Sequence, residues 1–179
     1  EEVGLDVREP TPDVARVLGR YVHAIMARVF QHRTVELLAQ HSGVPVVNGL
    51  SDLGHPCQAL GDFQTIAERF GRIAGLKVVF VGDANNVSRS LARACILAGS
   101  QFVLARPDGY AFTAADRAAF GSAYGEQVRE ERDPAKAVDG AHVLYTDVWT
   151  SMGQEAEAAQ RAKVFPPYQV NQALVALAR

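Results

Sequence analysis

His55 and Gln58 stand three residues apart around Pro56, so both side chains can face one ligand from the first turn of a helix. A helix start offers unpaired N–H groups and a partial positive charge, which suit an anion. The His55 imidazole can donate to a carbonyl oxygen and stabilise the charge that grows there under attack. It can equally serve as an ordinary capping residue. A second stretch, Tyr145 to Gly153, reads Tyr-Thr-Asp-Val-Trp-Thr-Ser-Met-Gly. Asp147 follows an apolar run and can hold an ammonium group, or cap what comes next; Ser151 stands four residues on. Met152 can lie against the aliphatic part of a ligand, or simply fill core space. Together the two stretches point to chemistry between a small phosphorylated compound and an amino acid.

Two other positions offer polar chemistry. Arg28 lies near the end of an apolar run, where a charge needs a partner. Its planar fork suits a phosphate or carbonyl oxygen, and a nearby carboxylate would serve as well. Gly82-Asp83-Ala84-Asn85-Asn86 follows a strand and opens a helix, the place of a dinucleotide fingerprint. The small-residue spacing fails, and no well-placed ribose-binding acid follows, so a nicotinamide cofactor is poorly supported. The paired asparagines can bind a carboxylate or cap the helix. Cys57, near a helix start, has no evident base beside it and reads as packing.

Composition narrows the field. A net charge of −2 argues against general nucleic-acid binding. No apolar run reaches the roughly 18–20 residues that span a bilayer. The first nine residues have neither a basic start nor an apolar stretch, so no signal peptide is expected there. Two cysteines, Cys57 and Cys95, make neither a disulfide framework nor a zinc site. Their scarcity fits a reducing, cytoplasmic compartment.

The elements that must position these residues alternate between strand and helix. Thr11-Pro12-Asp13 predicts a helix to about Gly19, with Thr11 as hydroxyl cap. Residues 22–30 read as a buried strand, 34–41 as a helix, 44–47 as a short strand and 48–54 as a loop. A helix is expected over 55–70, then a break at Gly71 and Gly75. Strands are predicted at 77–81, 102–105, 127–130 and 142–146. Helices are predicted at 86–98, 113–124, from Asp133-Pro134, at 153–164 and at 171–178. Such alternation implies an α/β protein with two parallel-sheet domains, helices covering both faces. Residues 1–70, including the joining helix, form the first domain and 71–179 the second. With only two strands, the first is expected to be incomplete.

In this frame the chain resembles the ornithine carbamoyltransferases along its whole length. The matching stretches are Asp13 to Leu18, Ala27 to Phe30, Val46 to Asp52, His55 to Gln58, Val81 to Asn86, Tyr145 to Gly153 and Tyr168 to Asn171. The His-Pro-x-Gln pattern is shared by the wider transcarbamylase group, whereas Asp-Val-Trp-x-Ser-Met-Gly points to ornithine. By this resemblance, Arg28, His55 and Gln58 would contact carbamoyl phosphate, with Arg28 and His55 catalytic. Asn86, Asp147, Ser151 and Met152 would contact ornithine. The implied reaction, in arginine metabolism (arginine biosynthesis or breakdown), gives citrulline and phosphate in a homotrimer, without a metal or cofactor. The family's first phosphate-binding motif is expected before residue 1, and its His-Cys-Leu-Pro stretch after residue 179. The chain therefore reads as the middle of such an enzyme, with negligible turnover expected of these residues alone. A non-catalytic binding or regulatory domain of the same fold is the competing reading; a nicotinamide-dependent oxidoreductase is a weaker one.

Overall fold

The computed structural model describes residues 4–151 and 153–179. The chain divides into two compact units. One comprises Glu1–Ala59 with Asn85–Val87, the other Leu60–Ala84 with Ser88–Arg179.

The first unit carries α1 (Thr11–Leu18), β1 (Ile25–Arg28), α2 (His32–His41), β2 (Val46–Leu50) and the start of α3 (Pro56–Phe70). β1 and β2 pair in parallel, with Ile25 opposite Val46 and Ala27 opposite Asn48. Arg28 then faces Leu50, so Gly49 is an extra residue in the ladder. A Cβ on Gly49 would stand 2.6 Å from Met26 Sδ, on an exposed side chain that can swing aside, and in tight contact, 3.2 Å, with the Ala27 carbonyl oxygen. Ala15, Ala27 and Leu38 form the small core, with Val29 and Val46 against it.

Two expectations are corrected here. The run at 22–30 is not one buried strand. The chain turns through Val22, which bonds back to the Leu18 carbonyl, and becomes extended only at Ile25. Side chains then alternate, leaving Met26 69% and Phe30 56% exposed, because a strand puts successive residues on opposite faces. Arg28 falls on the exposed face, so it is no buried charge. Thr11 is also not the cap of α1. It is the first helical residue, and its backbone N–H and hydroxyl both donate to the Asp6 carboxylate at 2.8 Å. Those two bonds hold the Asp6 carboxyl below its ordinary range.

The second unit is built on β3 (Lys77–Val81), β4 (Gln101–Ala105), β5 (Val128–Glu131) and β6 (Val143–Thr146). All three pairings are parallel, in the order β5-β4-β3-β6. Between the strands lie α4 (Asn86–Ala98), α5 (Ala114–Phe120) and α6 (Pro134–Val138), and after β6 come α7 (Ala158–Val164) and α8 (Gln172–Val175). Val78 to Val81 and Phe102 to Ala105 are buried on both faces, as continuous apolar runs in a parallel sheet require. Val79, Val81, Val103 and Ala105 pack with Val138, Phe165, Tyr168 and Leu174. On the opposite face Phe102, Phe112 and Phe120 form an aromatic row, tilted between the first two rings and edge-on between the last two.

Helix ends in this unit follow local chemistry. Thr113 and Asp116 make a reciprocal capping box at the start of α5. α5 stops at Phe120 instead of running to 124, because Gly121 takes φ 57°. Asp133 accepts from the Ala135 and Lys136 N–H groups at the start of α6. The helix expected over 153–164 begins only at Ala158, after a 3-10 turn at Glu155–Glu157. No helix of the described residues is long and apolar enough to cross a membrane.

Candidate functional site

In the first unit, two of the residues expected to bind an anion, His55 and Gln58, follow β2, and the third, Arg28, ends β1. His55 immediately precedes α3, and its carbonyl accepts from the Ala59 N–H, the first bond of the helix. Gln58 is exposed in the first turn, and Arg28 is exposed at the end of β1. Cys57 is exposed too, and its thiol donates to the Asn48 carbonyl at 3.4 Å.

The loop between β2 and His55 is held by residues whose importance sequence reasoning missed. Ser51 is fully buried. Its hydroxyl stands 2.8 Å from His32 Nδ1, accepts from Asn48 Nδ2 at 3.1 Å and donates to the Gly54 carbonyl at 3.3 Å. The Ser51 carbonyl accepts from Asn86 Nδ2 at 2.8 Å. Asp52 accepts from the His32 N–H at 2.8 Å and donates its own N–H to the Phe30 carbonyl. Thus Asn86, whose side chain also caps the Val87 N–H, belongs to the same compact unit as His55. The polar run Asn48-Gly49-Leu50-Ser51-Asp52 was the available signal, since such residues hold loops through side-chain bonds to backbone.

In the second unit, Asp147 and Ser151 lie in the loop after β6. β6 ends with Thr146, whose hydroxyl donates to the Val81 carbonyl at 3.0 Å. Ligands of open α/β sheets bind beyond such carboxyl ends. Asp147 is half-buried, and its carboxylate accepts from the Val148 N–H at 2.7 Å. The Ser151 N–H donates to the Gln154 side chain at 3.0 Å, and the Gly153 N–H to Glu155. Met152, the remaining residue expected to contact an amino acid, lies outside the described residues.

Asp83, in the fingerprint-like turn after β3, is buried. It pairs with Arg161 of α7 at 2.8 Å. Burial disfavours the Arg161 charge, yet the bonds to Asp83 and Glu157 raise its pKa overall. The same guanidinium donates to the Trp149 carbonyl at 3.0 Å and lies 4.9 Å from the Tyr110 ring centre. The spacing Glu157 to Arg161 is visible in the sequence as a helical i, i+4 pair. Its buried partner, 78 residues away, is not.

Against known families, residues 2–68 match the carbamoyl-phosphate-binding domain of the aspartate/ornithine carbamoyltransferases. Residues 74–179 match the aspartate/ornithine-binding domain. The ornithine carbamoyltransferase of Thermococcus kodakarensis is 54% identical over 172 residues, covering 93% of this chain and 54% of that relative. That of Thermus thermophilus is 50% identical over 179 residues, covering all of this chain and 58% of the relative. The solved structure of the Pyrococcus furiosus ornithine carbamoyltransferase superposes with a TM-score of 0.87 at 51% identity, over 96% of this chain and 56% of that one. The chain thus spans about half the length of the curated relatives it matches. With more than half of its residues matching one model of the family and most of the others matching the second, the chain belongs to the aspartate/ornithine carbamoyltransferase family.

Proposed function

We propose that the full-length protein transfers the carbamoyl group of carbamoyl phosphate to the δ-amine of ornithine, giving citrulline and phosphate. The observation that carries this is the order of the two family matches, donor-binding then amino-acid-binding, at about half identity to ornithine carbamoyltransferases. Residues 1–70 are then part of the donor domain, and 71–179 part of the acceptor domain.

In this reading the uncharged δ-nitrogen attacks the carbamoyl carbon. A C–N bond forms, the C–O bond to phosphate breaks, phosphate leaves with the electron pair, and the nitrogen loses a proton. Arg28 and His55 donate to the carbamoyl oxygen, where negative charge grows during attack. Gln58 and the start of α3 favour the anionic donor. Asp147 holds the amino acid's ammonium group, and Asn86, Ser151 and Met152 are the other residues assigned to it by family resemblance. Positioning of the two substrates supplies much of the rate. The active form is a homotrimer in the cytoplasm serving arginine synthesis, by family resemblance; that both described cysteines are free fits that compartment.

The test is citrulline formation from carbamoyl phosphate and ornithine by the full-length gene product. Wild type should turn over, while His55→Ala and Asp147→Ala should each lose at least about 100-fold in kcat/KM. No citrulline from wild type overturns the activity; full activity in both variants overturns the assignment of residues.

A further inference from the structure

Among the residues assigned no role in carbamoyl transfer, Arg161 makes the most demanding set of contacts. It is 4% exposed, on a helix otherwise rich in alanine and open to solvent. Its Nη1 bridges the Asp83 carboxylate at 2.8 Å and the Trp149 carbonyl at 3.0 Å. Its Nε donates to Glu157 at 3.0 Å. Tyr110 and Phe165 rings lie 4.9 and 5.8 Å from the guanidinium carbon, and Trp149 stacks on Phe165 at 6.2 Å. One side chain therefore ties the turn after β3 to the loop after β6. That loop begins at Asp147, and Trp149 is its third residue.

We propose that Arg161 is a positioning residue for the amino-acid substrate. It fixes the Trp149 carbonyl, and so the backbone that carries Asp147 and Ser151, against the Asp83 turn. The inference rests on the proposed carbamoyl transfer, in which Asp147 and Ser151 contact ornithine. Two features favour this role over plain core support. The bond to the loop goes to a main-chain oxygen, which orients the loop without depending on its side chains. The planar fork also lets Nε take Glu157 while Nη1 takes both Asp83 and the Trp149 carbonyl, and a single ammonium nitrogen cannot place donors at both points.

Arg161→Lys in the full-length protein is the discriminating variant, because it keeps a positive charge beside Asp83 but loses the fork. The KM for ornithine should rise roughly 10-fold or more, while the KM for carbamoyl phosphate stays within about 2-fold. Asp83→Asn should shift the same constant in the same direction, and the double variant should be little worse than either single one. Backbone amide exchange over 147–153 should quicken in Arg161→Lys while that of β3 and β4 does not. An unchanged ornithine KM with unchanged exchange overturns the proposal, as does an equal rise in both KM values. Should wild type form no citrulline, the functional reading fails, and quickened exchange in the loop still decides whether Arg161 holds it.

Discussion

The side-chain amide of Asn86 donates to the backbone carbonyl of Ser51 at 2.8 Å, 35 residues back along the chain. The same side chain's oxygen accepts from the Val87 N–H, so one carboxamide caps the start of α4 and holds the loop leading to His55. Asn86→Asp keeps the size but sets a carboxylate oxygen against a carbonyl oxygen. The expected cost is about 1–3 kcal/mol, since a bond is lost and an acceptor is left facing another acceptor. Citrulline formation should fall with it. An unchanged denaturant midpoint would show that the Asn86–Ser51 bond does not hold this loop.

Gly19 ends α1 with an ordinary helical φ of −60°, so its constraint is contact and not conformation. A Cβ there would stand 1.8 Å from the Ser42 carbonyl oxygen. Gly19→Ala must push the ends of α1 and α2 apart, and should destabilise the protein by about 1–3 kcal/mol. Gly61, with open space around its Cβ position, is the control. Gly61→Ala lies inside α3 and should stabilise by about 0.5–1 kcal/mol through helix propensity. Thermal unfolding of the two variants separates the cases, and equal shifts would contradict the crowding at Gly19.

Glu130 accepts from Tyr124 at 2.6 Å, Arg106 at 2.9 Å and Arg117 at 2.8 Å. Burial opposes its ionisation, but these bonds prevail and hold the carboxyl below its ordinary value of 4.5. The unfolded chain therefore takes up the proton first as pH falls. The stability Glu130 contributes is complete above about pH 4.5 and disappears as pH drops through the lower folded value. Glu130→Gln should be less stable than wild type at pH 7, and the two unfolding free energies from denaturant titration should converge as pH falls below about 4.5, to within roughly 0.5 kcal/mol. A constant gap across that range would rule out this linkage.

Cys57 and Cys95 differ in reactivity by position alone. Cys95 is fully buried in α4, where burial pushes its thiol up to about 12, whereas Cys57 is exposed. A thiolate reagent at pH 8 should label Cys57 within minutes and Cys95 only in denaturant. Peptide mapping reads both sites in one sample, and equal labelling in the native protein would refute the burial of Cys95.

How much of this was legible beforehand follows the range of the interactions. Lys77 to Val81 reads as a buried strand because every residue is apolar or β-branched once past the lysine, and Asp133-Pro134 reads as a helix start because the cap and its targets are adjacent. Both signals are local. Met26 and Phe30 misled because an apolar run says nothing of how many faces its sheet will bury. Arg28 then lost its reading as a buried charge for the same reason. The placing of Asn86 with Ser51, and of Arg161 with Asp83, depends on partners 35 and 78 residues away. No periodicity encodes such pairs.

The strand order β5-β4-β3-β6 has a consequence for how the protein is made. β3 pairs with β4 and β4 with β5, each the next strand in sequence, so these three can assemble as the chain emerges. β6 must instead return to β3, with Thr146 meeting Val81 from 65 residues on. Closing that span is the slow, entropically costly step, and pairings of short range precede it. The loop carrying Asp147 and Ser151 is therefore shaped last. A nascent or partly unfolded chain holds most of its second sheet before this loop takes its place, so in the proposed function ornithine binding would report on completed folding.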